Sequence, residues 1–370
     1  MKDSPRKQTD RPLSLLERKA WLVALAVTVI GFFMRLPEIF PWWLNPDEGI
    51  YFSMLTWKAS APFWAEMVGN ANPPLYYLVI HALGLLTHNF AAIRALSLVF
   101  GTAAIYAAWL AGREIAYSER CGIFTGLFSA LFVAVSPGAI LFSQIIRPYT
   151  MLLLFLLLAL YQLLRFRRER GTANLILYSI FLSIALLTHY SSLLAFGVFG
   201  ILILSDLISG RFGFRDWPRL LAAHAVPVMI CLGLYIYHLR PHMVNSALAD
   251  EALNGWLASF MIYEVKDIGG RLIGFMGYLF GARLAGLAAL IWAAGVALAY
   301  RKRSWTLLVV SLAAFGIAVI VATMGYYPFG CSRHSTWLIA FFVKNKHSQG
   351  RRFFNAVHVI FKDRKCIGLK

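Results

Sequence analysis

Apolar segments of roughly membrane-spanning length, separated by short basic segments, recur along most of the chain and constrain its fold more than any other feature. A helix that crosses a bilayer needs about 20 mostly apolar residues, and a repeated series of such segments indicates a polytopic membrane protein. Charged residues make up 14% of the 370 residues, whereas soluble domains carry roughly 25%. We therefore predict an all-α integral membrane protein, a polytopic transmembrane helix bundle with interfacial helices in its first external loop.

Nine segments are predicted to cross the membrane, and a tenth apolar run begins at residue 335 and stops at residue 343. The run at residues 75–86 is too short to span and follows two prolines, so it is predicted as a helix at the outer interface. The nine predicted spans are residues 21–33 with an extension to 40, 91–111, 122–146, 150–164, 174–187, 191–207, 221–239, 282–299 and 305–324.

The chain carries 35 Lys and Arg residues against 17 Asp and Glu residues, a formal net charge of +18. These cations lie in short runs between the spans, such as residues 165–170. Orientation in an anionic bilayer explains this pattern more simply than binding to nucleic acid. The positive-inside rule then predicts a cytoplasmic amino terminus, an inner (plasma) membrane location and a first loop, residues 35–90, on the external or periplasmic face.

Three parts of the chain are predicted from these patterns. Residues 1–19 form a cytoplasmic N-terminal segment, and residues 20–343 form the multi-pass transmembrane domain. Residues 344–370 are basic and without apolar periodicity, which suits a cytoplasmic tail and equally a chain whose end has been altered. We favour a truncated or frameshifted C-terminus as the interpretation of this last part.

Asp47 and Glu48 are adjacent carboxylates in the predicted first external loop. Pro46 resists helix and Gly49 permits tight backbone, so the pair is predicted in a loop at the membrane surface rather than on a helix. A carboxylate can remove a hydroxyl proton, and arginines can hold a phosphate. Charged groups at membrane depth are usually functional, so the polar residues predicted at the same rim are candidate site residues. They are Lys58, Asn72, Arg147, Tyr149, His189 and Arg333.

Several of these residues also have simpler interpretations. Lys58 can be interpreted as a lysine at the membrane interface, and Arg147 as an interfacial anchor that snorkels beside Tyr149. His189 and Arg333 are as typical of headgroup contacts as of a site. Arg94 lies near the mouth of the second predicted span, where it suits a cap or a snorkelling side chain, and we leave it out of the active set.

A series of short motifs resembles the polytopic glycosyltransferases of the C-type superfamily, which use polyprenyl-phosphate sugars. The resemblance is to the dolichyl-phosphate-mannose protein mannosyltransferases and the bacterial lipid A aminoarabinose transferases (glycosyltransferase family 39-like), and it is best over the first 200 residues. The motifs lie at residues 47–51, 72–77, 92–97, 136–137, 143–149 and 187–190.

The resemblance implies an inverting transfer of a sugar from a polyprenyl-phosphate donor to a lipid, glycan or protein hydroxyl. It assigns the role of base or acceptor-binding carboxylate to Asp47, with Glu48 beside it. It places the lipid-linked phosphate at Arg147 and, by a looser match, at Arg333. Metal use stays open, because two carboxylates suit a divalent cation but no further ligand is evident.

The chain departs from the family pattern at two positions, Asn72 where histidine is frequent and Gln144 where an acid sometimes stands. Other functions fit the composition as well. A transporter or flippase for an anionic lipid would place ionisable residues near the bilayer midplane and show an internal repeat. An inactive, truncated remnant of the transferase would fit the unusual carboxyl-terminal tail.

Overall fold

The computed structural model describes residues 18–40, 43–54, 67, 72–115, 119–240, 258–301 and 303–342, and these residues form helices and connecting turns without a strand. Short 3-10 helices and one π-helical turn, Tyr235–Leu239, connect or extend the α-helices. The α-helices are α1 Ala20–Arg35, α2 Pro46–Ser53, α3 Pro74–Gly84, α4 Phe90–Ile115, α5 Glu119–Val135, α6 Pro137–Phe142, α7 Tyr149–Glu169, α8 Thr172–Thr188, α9 Ser192–Ile208, α10 Trp217–Leu234, α11 Asp267–Phe280, α12 Ala285–Arg301 and α13 Trp305–Thr323.

Five helical segments of the described chain are long and apolar enough to cross a membrane. Further apolar helices of 10 to 17 residues accompany them, including α1, α3, α8 and α9. The predicted all-α, multi-span membrane architecture is therefore confirmed. The five long segments are Phe90–Ile115, Tyr149–Glu169, Phe214–Leu239, Ala282–Arg301 and Trp305–Thr323.

Helix α7 forms the centre of the bundle. Its leucines point in every direction, and residues such as Leu152, Leu156 and Leu160 are fully buried. A helix that is apolar on all faces is stable only when other helices surround it. Helices α4 and α8 and the 3-10 helix Arg333–Phe341 pack against α7, so the site residues at its amino end are held by a rigid core.

The third predicted span, residues 122–146, is wrong as a single helix, because the structure breaks it after Val135. Pro137 has no N–H group to bond the carbonyl of Val133 four residues earlier. Arg35 supplies the missing donors, from Nη2 to the Val133 oxygen at 2.7 Å and from Nη1 to the Ala134 oxygen at 2.9 Å. Arg35 was predicted in the external loop, but it ends α1 and is fully buried.

Two predictions near the carboxyl end are also corrected. No span is predicted between residues 239 and 282, but residues 267–280 form α11, an amphipathic helix whose glycines weakened its apolar pattern. Residues 335–341 of the predicted apolar run belong to the 3-10 helix Arg333–Phe341 and do not start a partial span. Its side chains, Trp337 among them, are buried against the bundle. The tail at residues 344–370 and most of the segment 1–19 lie outside the described residues, so the predicted division into three parts stays a prediction.

Candidate active site

Asp47 and Glu48 lie in the first turn of α2, so the prediction of a loop is wrong. Pro46 is the first helical residue, a position where the missing N–H group of proline is harmless. The Asn45 side chain accepts a hydrogen bond from the Glu48 N–H at 2.9 Å, and the Glu48 side chain reaches back to the Asn45 N–H at 3.3 Å. This capping box starts the helix, and the helix dipole favours acids in its first turn.

Asp47 accepts a hydrogen bond from Arg333 and forms an ion pair with Arg147, and the two arginines come from distant parts of the chain. Arg147 lies in the turn between α6 and α7, and Arg333 begins the last 3-10 helix. The Asp47 side chain is 44% exposed, while that of Arg147 is only 7% exposed. The site therefore presents an accessible carboxylate against two cations at one end of the bundle.

Arg147 is held in place by more than its ion pair. Its guanidinium lies over the Tyr51 ring, 5.2 Å from the ring centre, in a cation–π arrangement. Burial lowers the pKa of Arg147 to about 10, and Tyr149 opposes the shift. The side chain stays protonated at neutral pH and can bind an anion.

Glu48 faces away from the rim and is 1% exposed. Its oxygens accept hydrogen bonds from Arg94 Nε and Nη2, both at 2.8 Å, and from the Ile146 N–H at 2.9 Å. Arg94 Nη2 also donates to the Trp43 carbonyl at 2.7 Å. Glu48 and Arg94 thus connect α2 to α4 and to the residue before Arg147.

Arg94 is a residue that the sequence analysis left out. It is 3% exposed and sits one turn inside α4. A charge within an apolar helix is costly unless it is paired, so an arginine at this position in the sequence indicates a buried acidic partner. The partner, Glu48, lies 46 positions earlier, too far for any local pattern to identify.

Asn72 and Tyr149 take supporting positions. Asn72 donates from Nδ2 to the Tyr51 hydroxyl at 2.9 Å, and Tyr51 stacks on Tyr77 with ring centres 5.2 Å apart. Burial raises the pKa of the Tyr51 phenol well above its ordinary value. These rings form the wall beneath Arg147. Tyr149 follows Arg147 at the start of α7 and is buried.

His189 and His334 stand behind the two arginines. The His189 ring lies 5.0 Å from the Tyr149 ring and 6.3 Å from the His334 ring, and its Nδ1 pairs with the Ser191 hydroxyl at 2.9 Å. Burial, with His334, Arg147 and Arg333 nearby, holds the pKa of His189 well below its ordinary value. Burial and the same two arginines lower the pKa of His334 to about 3. Both imidazoles are neutral at physiological pH.

Lys58 lies outside the described residues. Within them, no group of three or more His, Cys, Asp or Glu side chains comes together. The oxygens of Glu48 already accept hydrogen bonds from Arg94, Ile146 and Asn45. The described donor set does not fit a bound divalent cation, and no chemical step is assigned to one.

Residues 60–243 match the model of the family described as dolichyl-phosphate-mannose-protein mannosyltransferase. The matched range contains Asn72, Arg94, Arg147, Tyr149 and His189. Asp47 and Glu48 precede it, and Arg333 follows it. A comparison with curated protein sequences finds no match.

Two solved structures share the fold. ArnT from Cupriavidus metallidurans, bound to undecaprenyl phosphate, has a TM-score of 0.52 and 16% identity, with 89% of this chain and 59% of ArnT covered. The archaeal oligosaccharyltransferase AglB from Archaeoglobus fulgidus, in complex with an inhibitory peptide and a dolichol-phosphate, has a TM-score of 0.50 and 13% identity, with 96% of this chain and 53% of AglB covered. The chain thus spans somewhat more than half the length of these two proteins.

Proposed function

We infer that this chain, which resembles the dolichyl-phosphate-mannose protein mannosyltransferase branch of the C-type superfamily, is a membrane glycosyltransferase. Its donor is a sugar linked to a polyprenyl phosphate. The undecaprenyl phosphate in ArnT and the dolichol-phosphate in AglB support this donor class. The acceptor is a hydroxyl of a lipid, glycan or protein.

The contact of Asp47 with both Arg147 and Arg333 carries the proposal. In the proposed step, Asp47 takes the proton of the acceptor hydroxyl, and the hydroxyl oxygen attacks the anomeric carbon from the face opposite the phosphate. The bond from that carbon to the phosphate oxygen breaks, so the configuration inverts. Arg147 and Arg333 stabilise the charge that develops on the departing polyprenyl phosphate.

In the structure, Asp47 is paired with both Arg147 and Arg333. A carboxylate that is paired with two cations is a weak base, since the pairing favours its charged form. The donor phosphate competes with Asp47 for the two guanidinium groups. Binding of the donor thereby frees the carboxylate at the moment when a base is needed.

Glu48 and Arg94 have a positioning role in this scheme, not a chemical one. Their buried ion pair fixes the first turn of α2, and the bond from Ile146 N–H to Glu48 fixes the residue that precedes Arg147. Glu48 therefore positions both the proposed base, Asp47, and the proposed phosphate-binding residue, Arg147. Reacting groups must be held close to their productive geometry, and small displacements are expensive.

The proposed site faces the external or periplasmic side of the inner (plasma) membrane. Tyr149, at the start of α7, lies beside the site, and the arginines at residues 165, 167 and 168 lie near its end. At 1.5 Å per residue, the basic end of α7 lies roughly 27 Å from Tyr149, close to the thickness of the hydrocarbon core. Basic segments face the cytoplasm, which leaves Asp47 on the other face.

Asp47→Asn tests the proposal directly. The full chain is reconstituted in liposomes with a polyprenyl-phosphate sugar donor and total envelope lipids and glycans as acceptors, and release of polyprenyl phosphate is measured. Loss of a general base lowers the rate by roughly 100-fold or more. Glu264→Gln, which removes an exposed acid elsewhere on the chain, serves as the matched control. Full activity of folded Asp47→Asn protein removes Asp47 from the mechanism.

A further inference from the structure

A cavity lies at the end of the bundle opposite Asp47, between α7, α9 and α13. Its volume is about 710 Å³. Helix α7 connects the two ends, because Tyr149 begins it beside the candidate site and Arg167 lies near its last turn. The polar residues that line the cavity are Arg167, Ser205, Asp206, Ser209, Arg211 and Thr306.

The cavity is positively charged despite its buried acid. Asp206, 4% exposed, accepts from Arg167 Nε at 2.5 Å and from Arg167 Nη2 at 2.8 Å, and it pairs with Arg211 Nε at 3.2 Å. Two arginines around one carboxylate leave one positive charge uncompensated. The Arg211 side chain is 52% exposed, so this charge lies at the mouth of the cavity.

The mouth of the cavity also has apolar walls. Ile208 of α9 is 79% exposed and Trp305 of α13 is 58% exposed, and both line the cavity. Tryptophan is enriched where a helix passes from hydrocarbon to headgroups. Thr306 accepts a hydrogen bond from Arg167 at 3.0 Å and keeps its own hydroxyl proton for another acceptor. A cation and a hydroxyl thus stand beside apolar surface at the level of the membrane interface.

The rest of this end of the bundle has the same sign of charge. Outside the cavity, acids such as Glu114, Glu169 and Asp216 accompany a larger set of arginines. An excess of cations at one end attracts the leaflet that contains anionic lipids. These arginines include Arg113, Arg165, Arg168, Arg170, Arg215, Arg219, Arg301 and Arg303.

We propose that this cavity binds an anionic membrane phospholipid, with the headgroup phosphate at Arg211 and Thr306 and the acyl chains along Ile208 and Trp305. Charge complementarity selects the anionic headgroup, and the apolar walls select a lipid over a free anion. The site is separate from the Asp47 site and does not depend on the proposed transfer reaction. Bound lipid would join the carboxyl end of α9 to the amino end of α13.

Native mass spectrometry of the full chain, titrated with phosphatidylglycerol or with phosphatidylcholine, tests this proposal. The two lipids share phosphate and acyl chains and differ in net charge. We expect tighter binding of phosphatidylglycerol, and Arg211→Gln should weaken it about fivefold, the usual contribution of one arginine near an anionic surface. Arg215→Gln is the matched control, since Arg215 is exposed at the same end but does not line the cavity.

Ser205→Leu is a second variant, which fills the cavity without changing any charge. We expect it to abolish the preference for phosphatidylglycerol, with the melting temperature showing that the protein is folded. Equal binding of the two lipids by the unmodified chain overturns the proposal. So does an equal loss in Arg211→Gln and Arg215→Gln, which indicates attraction to the whole basic surface. Competition by excess inorganic phosphate also overturns it, because that outcome means a site for free anions.

Discussion

At the residue scale, two neighbouring carboxylates have opposite surroundings and therefore opposite proposed roles. Successive helix residues point about 100° apart, so Asp47 faces the rim and Glu48 faces the interior. Asp47 is 44% exposed and Glu48 only 1%. An exposed carboxylate can exchange partners, whereas a buried one paired with Arg94 is part of the fold.

Glu48→Gln is expected to destabilise the protein strongly. Removing one partner of a buried ion pair leaves Arg94 as an uncompensated buried charge, at a free-energy cost of about 3–5 kcal/mol. Thermal or denaturant unfolding in detergent measures the change. Glu264→Gln removes an exposed acid and should alter the free energy of unfolding by less than about 0.5 kcal/mol. Equal stability of the two variants would mean that the Glu48–Arg94 pair does not hold the site together.

Arg147→Lys is expected to lower the rate of sugar transfer by roughly 10- to 100-fold, the loss from one charge-assisted hydrogen bond. Lysine keeps the charge but loses the planar guanidinium that lies over Tyr51, a group whose geometry allows it to bind two oxygens at once. Arg271→Lys is the control, because Arg271 binds the Met261 carbonyl. Rates of donor consumption decide the question, and an unchanged rate for Arg147→Lys would show that charge alone suffices there.

The two buried histidines make stability depend on pH. The unfolded chain binds protons near pH 6.5, whereas the folded pKa of His334 is about 3 and that of His189 is also lowered. The unfolded state therefore gains protons first as the pH falls, and the free energy of unfolding decreases below about pH 6.5. Melting temperatures between pH 8 and pH 5 measure this slope. His334→Gln should flatten it, and an unchanged slope would assign the effect to other groups.

At the element scale, prolines determine where the helices of the site begin and end. Pro46 starts α2, and Pro137 separates α5 from α6. The break at Pro137 allows the chain to turn, which brings Arg147 beside Asp47. Gly101 of α4 faces this turn, and a Cβ atom there would lie 2.8 Å from the Ser143 Cβ. The turn thus depends on the absence of a side chain as well as on the proline.

Arg35 and Pro137 should show coupled effects on stability. Arg35→Met leaves the carbonyls of Val133 and Ala134 without their donor, and each unsatisfied buried group costs about 1–3 kcal/mol. Pro137→Ala restores an N–H group that can bond Val133. In a double-mutant cycle, Arg35→Met should therefore be less damaging in the Pro137→Ala background, with a coupling of roughly 0.5–3 kcal/mol. Additive effects in unfolding experiments would contradict the assignment of Arg35 as the cap of α5.

At the scale of the whole molecule, the ends of the bundle differ in charge and in chemistry. One end brings Asp47, Arg147 and Arg333 together, and the other end carries most of the remaining arginines. Because α7 extends between them and is long and apolar enough to cross a membrane, the proposed orientation assigns the two ends to opposite faces.

Labelling from the two sides of the membrane tests this orientation. In a variant whose four cysteines are replaced by serine, Glu264→Cys lies at the end that holds Asp47, and Arg215→Cys lies at the basic end. In spheroplasts, a maleimide that does not cross membranes should modify the first position and spare the second. Modification of both, or of Arg215→Cys alone, would exclude the proposed external site.

The sequence by itself determined the class of this protein. Lipid requires each span to be long, apolar and internally hydrogen-bonded. Each span can therefore be identified from its own hydropathy and from the basic residues in the adjoining turns. The predicted membrane bundle and the predicted family resemblance are confirmed. The same local reading failed at Pro46 and Pro137, because a proline is a helix start in one context and a helix break in another.

Only the tertiary structure decided how the polar residues are partnered. Arg94 meets Glu48 across 46 positions, and Arg333 meets Asp47 across 286. Such pairs form because helix packing brings their elements together. The periodicity of the sequence does not predict which distant residues will be paired. The sequence predicts acids and arginines at one rim, and packing leaves Asp47 exposed there while it buries Glu48 against Arg94.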